Sequence, residues 1–219
     1  PYSKTLTTGM HRPTYWGSFL FALKKMTTKN KELGFTNNDL SLFDVWYREE
    51  NDFKYHEIPN VEKFKAVVLF GYFQSPQYFD DQRQQIFSII GIPDIKEKIL
   101  KEFSQYFDED GIKISMHFRM GDYKNHPDYH PILTYEYYYN ALMHMIMHSV
   151  LTNKITVLYF CEKEDNREVQ TIIDQLKNDF ENFYFVKVDD NIDDWKQMMI
   201  MSNCDHNIIA CLLYTSPSP

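Results

Sequence analysis

The sequence predicts an α/β fold with parallel sheets, and three observations carry that reading. Apolar runs of strand length alternate with helical patterns through the second half, from residue 112 to residue 210. Such alternation implies parallel strands joined by right-handed crossovers. In the first half, Ala66, Val67, Val68, Leu69 and Phe70 form one continuous apolar run ending at Gly71. A run of that kind reads as a strand covered on both faces, as parallel strands are. Finally, hydrophobic residues make up 43% and aromatics 16% of the 219 residues, which excludes global disorder and permits a substantial core.

The elements follow in chain order. Residues 1–10 are Thr-rich and define nothing. Trp16, Phe19, Leu20 and Leu23 fall at helical spacing, and residues 15–26 read as an amphipathic helix or as part of a buried segment. Residues 24–37 are polar and loop-like, with Gly34 as a stop. Short strands are expected over 43–46 and 53–56, and a longer one over 64–73. Ser75 is placed to cap, and Pro76 to start, a helix running over 78–90. A second helix is expected over 93–107, followed by a turn at 108–111 where the domain boundary is placed. Beyond it the reading is strand to His117, helix 134–151 capped by Thr134, strand 155–161, helix 166–178, strand 183–188, helix 192–201 and a strand opening over 207–210.

Charge and cysteine usage narrow the function classes. A net charge of -8 argues against a general nucleic-acid or anionic-membrane surface. No apolar run reaches the roughly 18 residues of a membrane span, and no signal peptide is visible, so a cytoplasmic location is expected. Cys161, Cys204 and Cys211 lack metal-type spacing and read as buried, reduced thiols. His126 and His130 are separated by a Pro127-containing loop, which argues against a helical metal pair. That loop, with Tyr123 and Tyr129, is suited to stacking on a glycan. His144 and His148 lie four apart on an expected helix and are assigned to its core or boundary rather than to a metal. Asp189, Asp190, Asp193 and Asp194 surround a helix start, where capping explains them without a cation.

The most informative stretch is Ile112 to Tyr123, IKISMHFRMGDY. Ile112, Ile114 and Met116 alternate against Lys113 and Ser115, and the strand then opens into a loop carrying His117, Arg119, Gly121 and Asp122. Ligands of open α/β sheets sit beyond the carboxyl ends of the strands. An Arg there offers a planar cationic fork to phosphate oxygens, and a neutral His exchanges hydrogen bonds with a base or hydroxyl. The alternative is a solvated surface Arg pairing Asp122.

HFRMGDY is similar to the His-x-Arg-Arg-Gly-Asp motif of the α-1,2-fucosyltransferases of glycosyltransferase family 11. Gly71-Tyr72-Phe73-Gln74-Ser75 before Tyr78-Phe79, and Met201-Ser202-Asn203-Cys204-Asp205 leading into His206-Asn207-Ile208-Ile209-Ala210, fit the same family in order and spacing. The resemblance implies two Rossmann-like halves in the GT-B arrangement. Residues 1–110 would be an incomplete acceptor-side domain, 111–210 the nucleotide-sugar domain, and 211–219 a tail that looks like a translated sequencing-adapter fragment. It also implies an inverting, metal-independent transfer of L-fucose from GDP-β-L-fucose to the 2-hydroxyl of a galactoside, with no cofactor beyond that donor. For a eukaryotic member with a longer N-terminus, the location would be the Golgi membrane.

Site roles come from the same resemblance. Arg119 would hold the diphosphate and stabilise charge on departing GDP, His117 would contact the nucleotide, and Asp122 would orient Arg119. Glu162 and Glu164 follow the next strand, where the family often carries Ser-Asp-Asp; Glu162 would accept hydrogen bonds from guanine or ribose, the alternative being exposed acids at a helix start favoured by the helix dipole. Tyr72, Gln74 and Ser75 follow the first strong strand, where they would either line the cleft from the other side or only form the turn. Three departures stand out: Met120 replaces the family's second Arg, no Gly-Gly-Leu-Gly-Asn-Gln-type loop precedes Tyr15, and the Asn-Ser-Ser/Thr-Phe-Ser-Trp-Trp-Gly run that follows the position of Ala210 is replaced by residues 211–219. A non-catalytic nucleotide- or glycan-binding remnant is the alternative. A phosphate-ester hydrolase using His117 as nucleophile is a weaker third, since histidine phosphatases place Arg before His.

Overall fold

Six strands and five α-helices are described in a computed structural model covering residues 15–26, 44–50, 54–58, 62–64, 67–71, 73, 75–107, 110–125, 131–148 and 154–210. The chain divides into two units between Pro93 and Asp94. This falls before the 108–111 turn expected from the sequence.

In the N-terminal unit, β1 (Val45–Arg48) and β2 (Val67–Phe70) pair in parallel, with Val45 opposite Val67 and Arg48 opposite Phe70. The expectation that β2 is covered on both faces is not met: Leu69 and Phe70 are 49% and 57% exposed. Arg48 lies over the Phe70 ring at 5.6 Å, so a cation takes up part of that apolar surface. The helix expected over 15–26 is instead two 3-10 segments, Tyr15–Gly17 and Phe21–Met26. Residues 54–58 form no strand; this segment is tied down by Tyr78, whose hydroxyl accepts from the His56 N–H. Ser75 does cap, its side chain accepting from the Gln77 N–H with Pro76 at the first position, but what it caps is the 3-10 turn Pro76–Tyr78 rather than the helix expected over 78–90. Two 3-10 turns then lead into α1 (Arg83–Ile90), which ends at Gly91 with a φ of 81°, a left-handed closure that glycine adopts without strain.

The C-terminal unit holds the main core. Helix α2 (Ile92–Glu102) belongs with it because Lys96 donates to the Ser202 carbonyl at 2.5 Å and Lys196 pairs with Glu102. Its sheet contains β3 (Ile112–His117), β4 (Ile155–Phe160), β5 (Phe183–Lys187) and β6 (His206–Ile209), all parallel, in the order β5-β4-β3-β6. The order is compatible with a Rossmann-like fold. Helices α3 (Tyr135–His148) and α4 (Asn166–Asp179) return the chain across one face. There Ile114, Met116, Val157 and Tyr159 meet Tyr138, Leu142, Val169 and Ile173 in one buried cluster. Helix α5 (Asp194–Ser202) carries the chain from β5 back past β4 and β3, so right-handedness sends it over the opposite face. Its Ile200 is fully buried, as is Leu158 of β4.

Every strand and helix expected beyond residue 110 is present, with ends shifted by a few residues. Thr134 precedes α3, but its hydroxyl bonds the Glu136 carboxylate rather than a backbone N–H. His144 and His148 stack at 4.1 Å on the exposed side of α3, correcting the expected core or boundary role. Among the described residues, no helix is long and apolar enough to cross a membrane.

Candidate functional site

Counting from β3, the chain first adds strands on one side, β4 and then β5, and afterwards returns to place β6 on the other. The switch point therefore lies at the carboxyl ends of β3 and β6, the position where open α/β sheets bind ligands. His117 is the last residue of β3 and pairs in register with Ile209 of β6 and Phe160 of β4. Pairing continues just beyond the strands: the Phe118 N–H donates to the Phe160 carbonyl at 2.8 Å and the Ala210 N–H to the His117 carbonyl at 3.3 Å.

That register decides which side chains meet. With His117 opposite Phe160, the residues two further along each chain, Arg119 and Glu162, emerge side by side. Their ion pair has an Nη1 to Oε1 distance of 2.5 Å, and the Arg119 guanidinium also lies over the Tyr123 ring at 5.1 Å. The Arg119 side chain is 20% exposed and that of Glu162 is 48% exposed, so the pair opens to solvent on its acidic side. Glycine at 121 keeps the approach open, since a Cβ there would meet the Glu162 Oε2 at 2.7 Å.

His117 is held neutral at physiological pH. Burial pushes its imidazole pKa below the ordinary 6.5 and the neighbouring Arg119 charge pushes it further, against a smaller opposing hydrogen bond to the Ala210 backbone. Met120 is 4% exposed and packs within the core cluster. Position 120 thus points inward, and Met there satisfies an apolar site. The side chain of Asp122 lies outside the described residues, as do Tyr72, Gln74, His126, Tyr129, His130, Cys211 and the 211–219 tail.

Beneath the Arg119 loop sits a residue that sequence reasoning passed over. Asp165 is 1% exposed and accepts from the Gly121 N–H and from Lys124 Nζ, both at 2.8 Å. Lys124 also pairs with Glu168 at 2.7 Å, and these carboxylates raise its pKa. The signal was present: Asp165 follows Glu162 by one helical turn at the mouth of the same strand. Glu164, the other acid singled out there, is exposed.

A second polar group occupies the ends of β4 and β5. Asn166 accepts from the Cys161 thiol at 3.2 Å and donates to Asp190 at 2.8 Å, while Lys187 pairs with Asp190. Burial works against the Asp190 charge, but hydrogen bonds from Asn166 and Lys187 outweigh it and hold its pKa low. Asp189 accepts from the Asn191 N–H, and Asp194 from the Trp195 N–H. Asp193 stands at the N-cap of α5, but its side chain makes no capping hydrogen bond, so the expected capping is not met there. Among the described residues, no group of three or more His, Cys, Asp or Glu side chains is arranged to hold a metal. Cys161 and Cys204 are free and buried.

The chain matches no protein-family model, no curated protein and no solved structure. The structure establishes an α/β class with parallel sheets, and the fucosyltransferase resemblance rests on the motifs.

Proposed function

We propose that this chain is a glycosyltransferase of the GT-B kind that moves L-fucose from GDP-β-L-fucose to the 2-hydroxyl of a galactoside. The observation that carries the reading is the convergence of His117, Arg119 and Glu162 at the carboxyl ends of β3 and β4, beside the switch point. Arg119 holds the diphosphate. As the fucosyl bond breaks, negative charge grows on GDP, and a fixed cation there favours the transition state over the ground state. Neutral His117 exchanges hydrogen bonds with the nucleotide, and Asp122 shapes the Arg119 turn. Glu162 lies just past the second strand of its sheet, where dinucleotide-binding folds place an acid on the ribose hydroxyls, so it takes ribose or guanine donors. The pair between Arg119 and Glu162 is exchangeable, because partly exposed ion pairs contribute only about 0 to 1 kcal/mol. A diphosphate can replace the carboxylate on the guanidinium while Glu162 turns to the ribose. Transfer inverts the anomeric centre and uses no metal.

The second reading is a binding remnant without turnover, and it is favoured by one observation: the Arg119 guanidinium already has a carboxylate and an aromatic face against it. A transfer assay with GDP-fucose and a galactoside, run beside GDP calorimetry, separates the two. Turnover that falls by two or more orders of magnitude in Arg119→Ala supports the enzyme, in line with roughly 3 kcal/mol for one electrostatic stabiliser. Binding without turnover supports the remnant, and turnover unchanged in Arg119→Ala removes Arg119 from the mechanism.

A further inference from the structure

We infer that Asp165 is the positioning residue of the anion site: it fixes the turn that presents Arg119, without touching the ligand itself. The inference rests on the nucleotide reading for its ligand, but its structural half stands on the loop geometry alone.

The turn after β3, Gly121–Asn125, is a short 3-10 segment. A segment of this length has little stability of its own and needs outside partners. Asp165 supplies them. One carboxylate oxygen takes the Gly121 N–H and the other takes the Lys124 ammonium, so the start and end of the turn are tied to a single buried anion. Arg119 lies two residues before the first tie, and Tyr123, whose ring lies under the Arg119 guanidinium, falls between them. Asp165 itself cannot drift, because it sits at the junction between the 3-10 turn Lys163–Asp165 and α4, with its N–H donating to the Glu162 carbonyl at 3.0 Å. The same short segment therefore carries both Glu162, which pairs with Arg119, and Asp165, which holds the Arg119 turn. At 1% exposure, Asp165 has no surface with which to meet a ligand.

Its chemistry favours this role over a generic structural one. A buried carboxylate is costly unless it is paired and hydrogen-bonded. A backbone N–H and an ammonium from the same turn provide that compensation, so the turn and the acid hold each other in place. Loss of the acid removes both ties on the Arg119 turn, the one to the Gly121 N–H and the one to the Lys124 ammonium.

The test uses the full chain and four variants: Asp165→Asn, Lys124→Gln, Arg119→Ala and the Asp165→Asn/Arg119→Ala double. Asn keeps an acceptor for the Gly121 N–H but presents an uncharged group to Lys124, so folding is preserved; Lys124→Gln probes the same latch from its partly exposed side. Calorimetry with GDP is expected to show a loss of about tenfold for Asp165→Asn, and no further loss when the change is added to Arg119→Ala. A purely structural residue would instead weaken both backgrounds equally or neither. Hydrogen exchange at the Gly121 amide reads the latch without any ligand and is expected to accelerate at least tenfold in Asp165→Asn and Lys124→Gln. If the wild-type chain binds no GDP but this exchange accelerates, the nucleotide reading fails and Asp165 keeps its role on the loop. Unchanged exchange at Gly121, or GDP affinity equal to wild type in a folded Asp165→Asn, overturns the inference.

Discussion

Replacing Glu162 by Gln separates the two halves of the proposed nucleotide site, because its effect has opposite signs on two ligands. In the free chain the Glu162 carboxylate sits on Arg119 at 2.5 Å and is 48% exposed. A partly exposed ion pair contributes about 0 to 1 kcal/mol, so removing it costs the fold little. For pyrophosphate, which has no ribose, the variant removes one negative charge from beside the guanidinium and repels the ligand less. Its affinity should rise by up to about fivefold, the equivalent of that same range. GDP gains as much on the diphosphate but loses a charge-assisted hydrogen bond, about 1.5 to 3 kcal/mol, between its ribose or base and Glu162. The difference leaves GDP weaker by about 0.5 to 3 kcal/mol, roughly two- to 150-fold. Isothermal titration of both ligands against wild type and Glu162→Gln at one ionic strength measures this directly. Equal shifts for GDP and pyrophosphate, in either direction, would refute a separate role for Glu162 in holding the nucleoside.

Three further outcomes follow from the geometry. Gly111 has a φ of 129°, and a Cβ there would lie 2.2 Å from the Lys154 carbonyl oxygen, a backbone atom with nowhere to go. Gly111→Ala should therefore lose about 2 kcal/mol or more in chemical denaturation, strain and clash acting together. The depressed pKa of His117 means that the unfolded chain binds a proton more readily than the native one. Stability from this residue is complete above the ordinary 6.5 and is lost as pH falls below it, so His117→Gln should flatten the acid limb of a stability profile. Burial pushes the Cys161 thiol to about 11 and the Cys204 thiol to about 12. Both should resist a thiol reagent in the native chain at pH 8 and react after denaturation, read site by site by mass spectrometry.

Much of the C-terminal unit is legible in the sequence because each element there obeys one dominant rule. Ile114 and Met116 alternate against Lys113 and Ser115, and β3 forms as the pattern demands. Val169, Ile173 and Leu176 fall on one stripe, and all three are fully buried on α4. The N-terminal unit is harder because its aromatic residues satisfy several patterns at once. Trp16, Phe19, Leu20 and Leu23 have helical spacing, yet 3-10 turns form, with Tyr15 and Phe19 in ring contact at 5.3 Å. The apolar run of β2 is a strand, but a continuous run by itself does not reveal what covers it, and Phe70 remains exposed.

The site divides in the same way. Arg119 and His117 are readable from their place at a strand end. The partner of Arg119 is not, because pairing with Glu162 depends on the register that sets His117 opposite Phe160, a fact about two distant segments. The local expectation, that Asp122 orients Arg119, concerns a side chain outside the described residues. Asp165 was missed for a different reason. An acid beside Glu164 at a helix start looks like a dipole-favoured surface charge, and only its burial distinguishes it.

The claim at the centre of this account is that the Arg119 guanidinium receives the diphosphate of a nucleotide, and a paired GDP titration of wild type and Arg119→Ala tests it most directly. Saturable binding by the wild-type chain is expected, with a loss of about a hundredfold in the variant and unchanged folding. Equal GDP affinity in the two proteins, or no binding by the wild type, would contradict it.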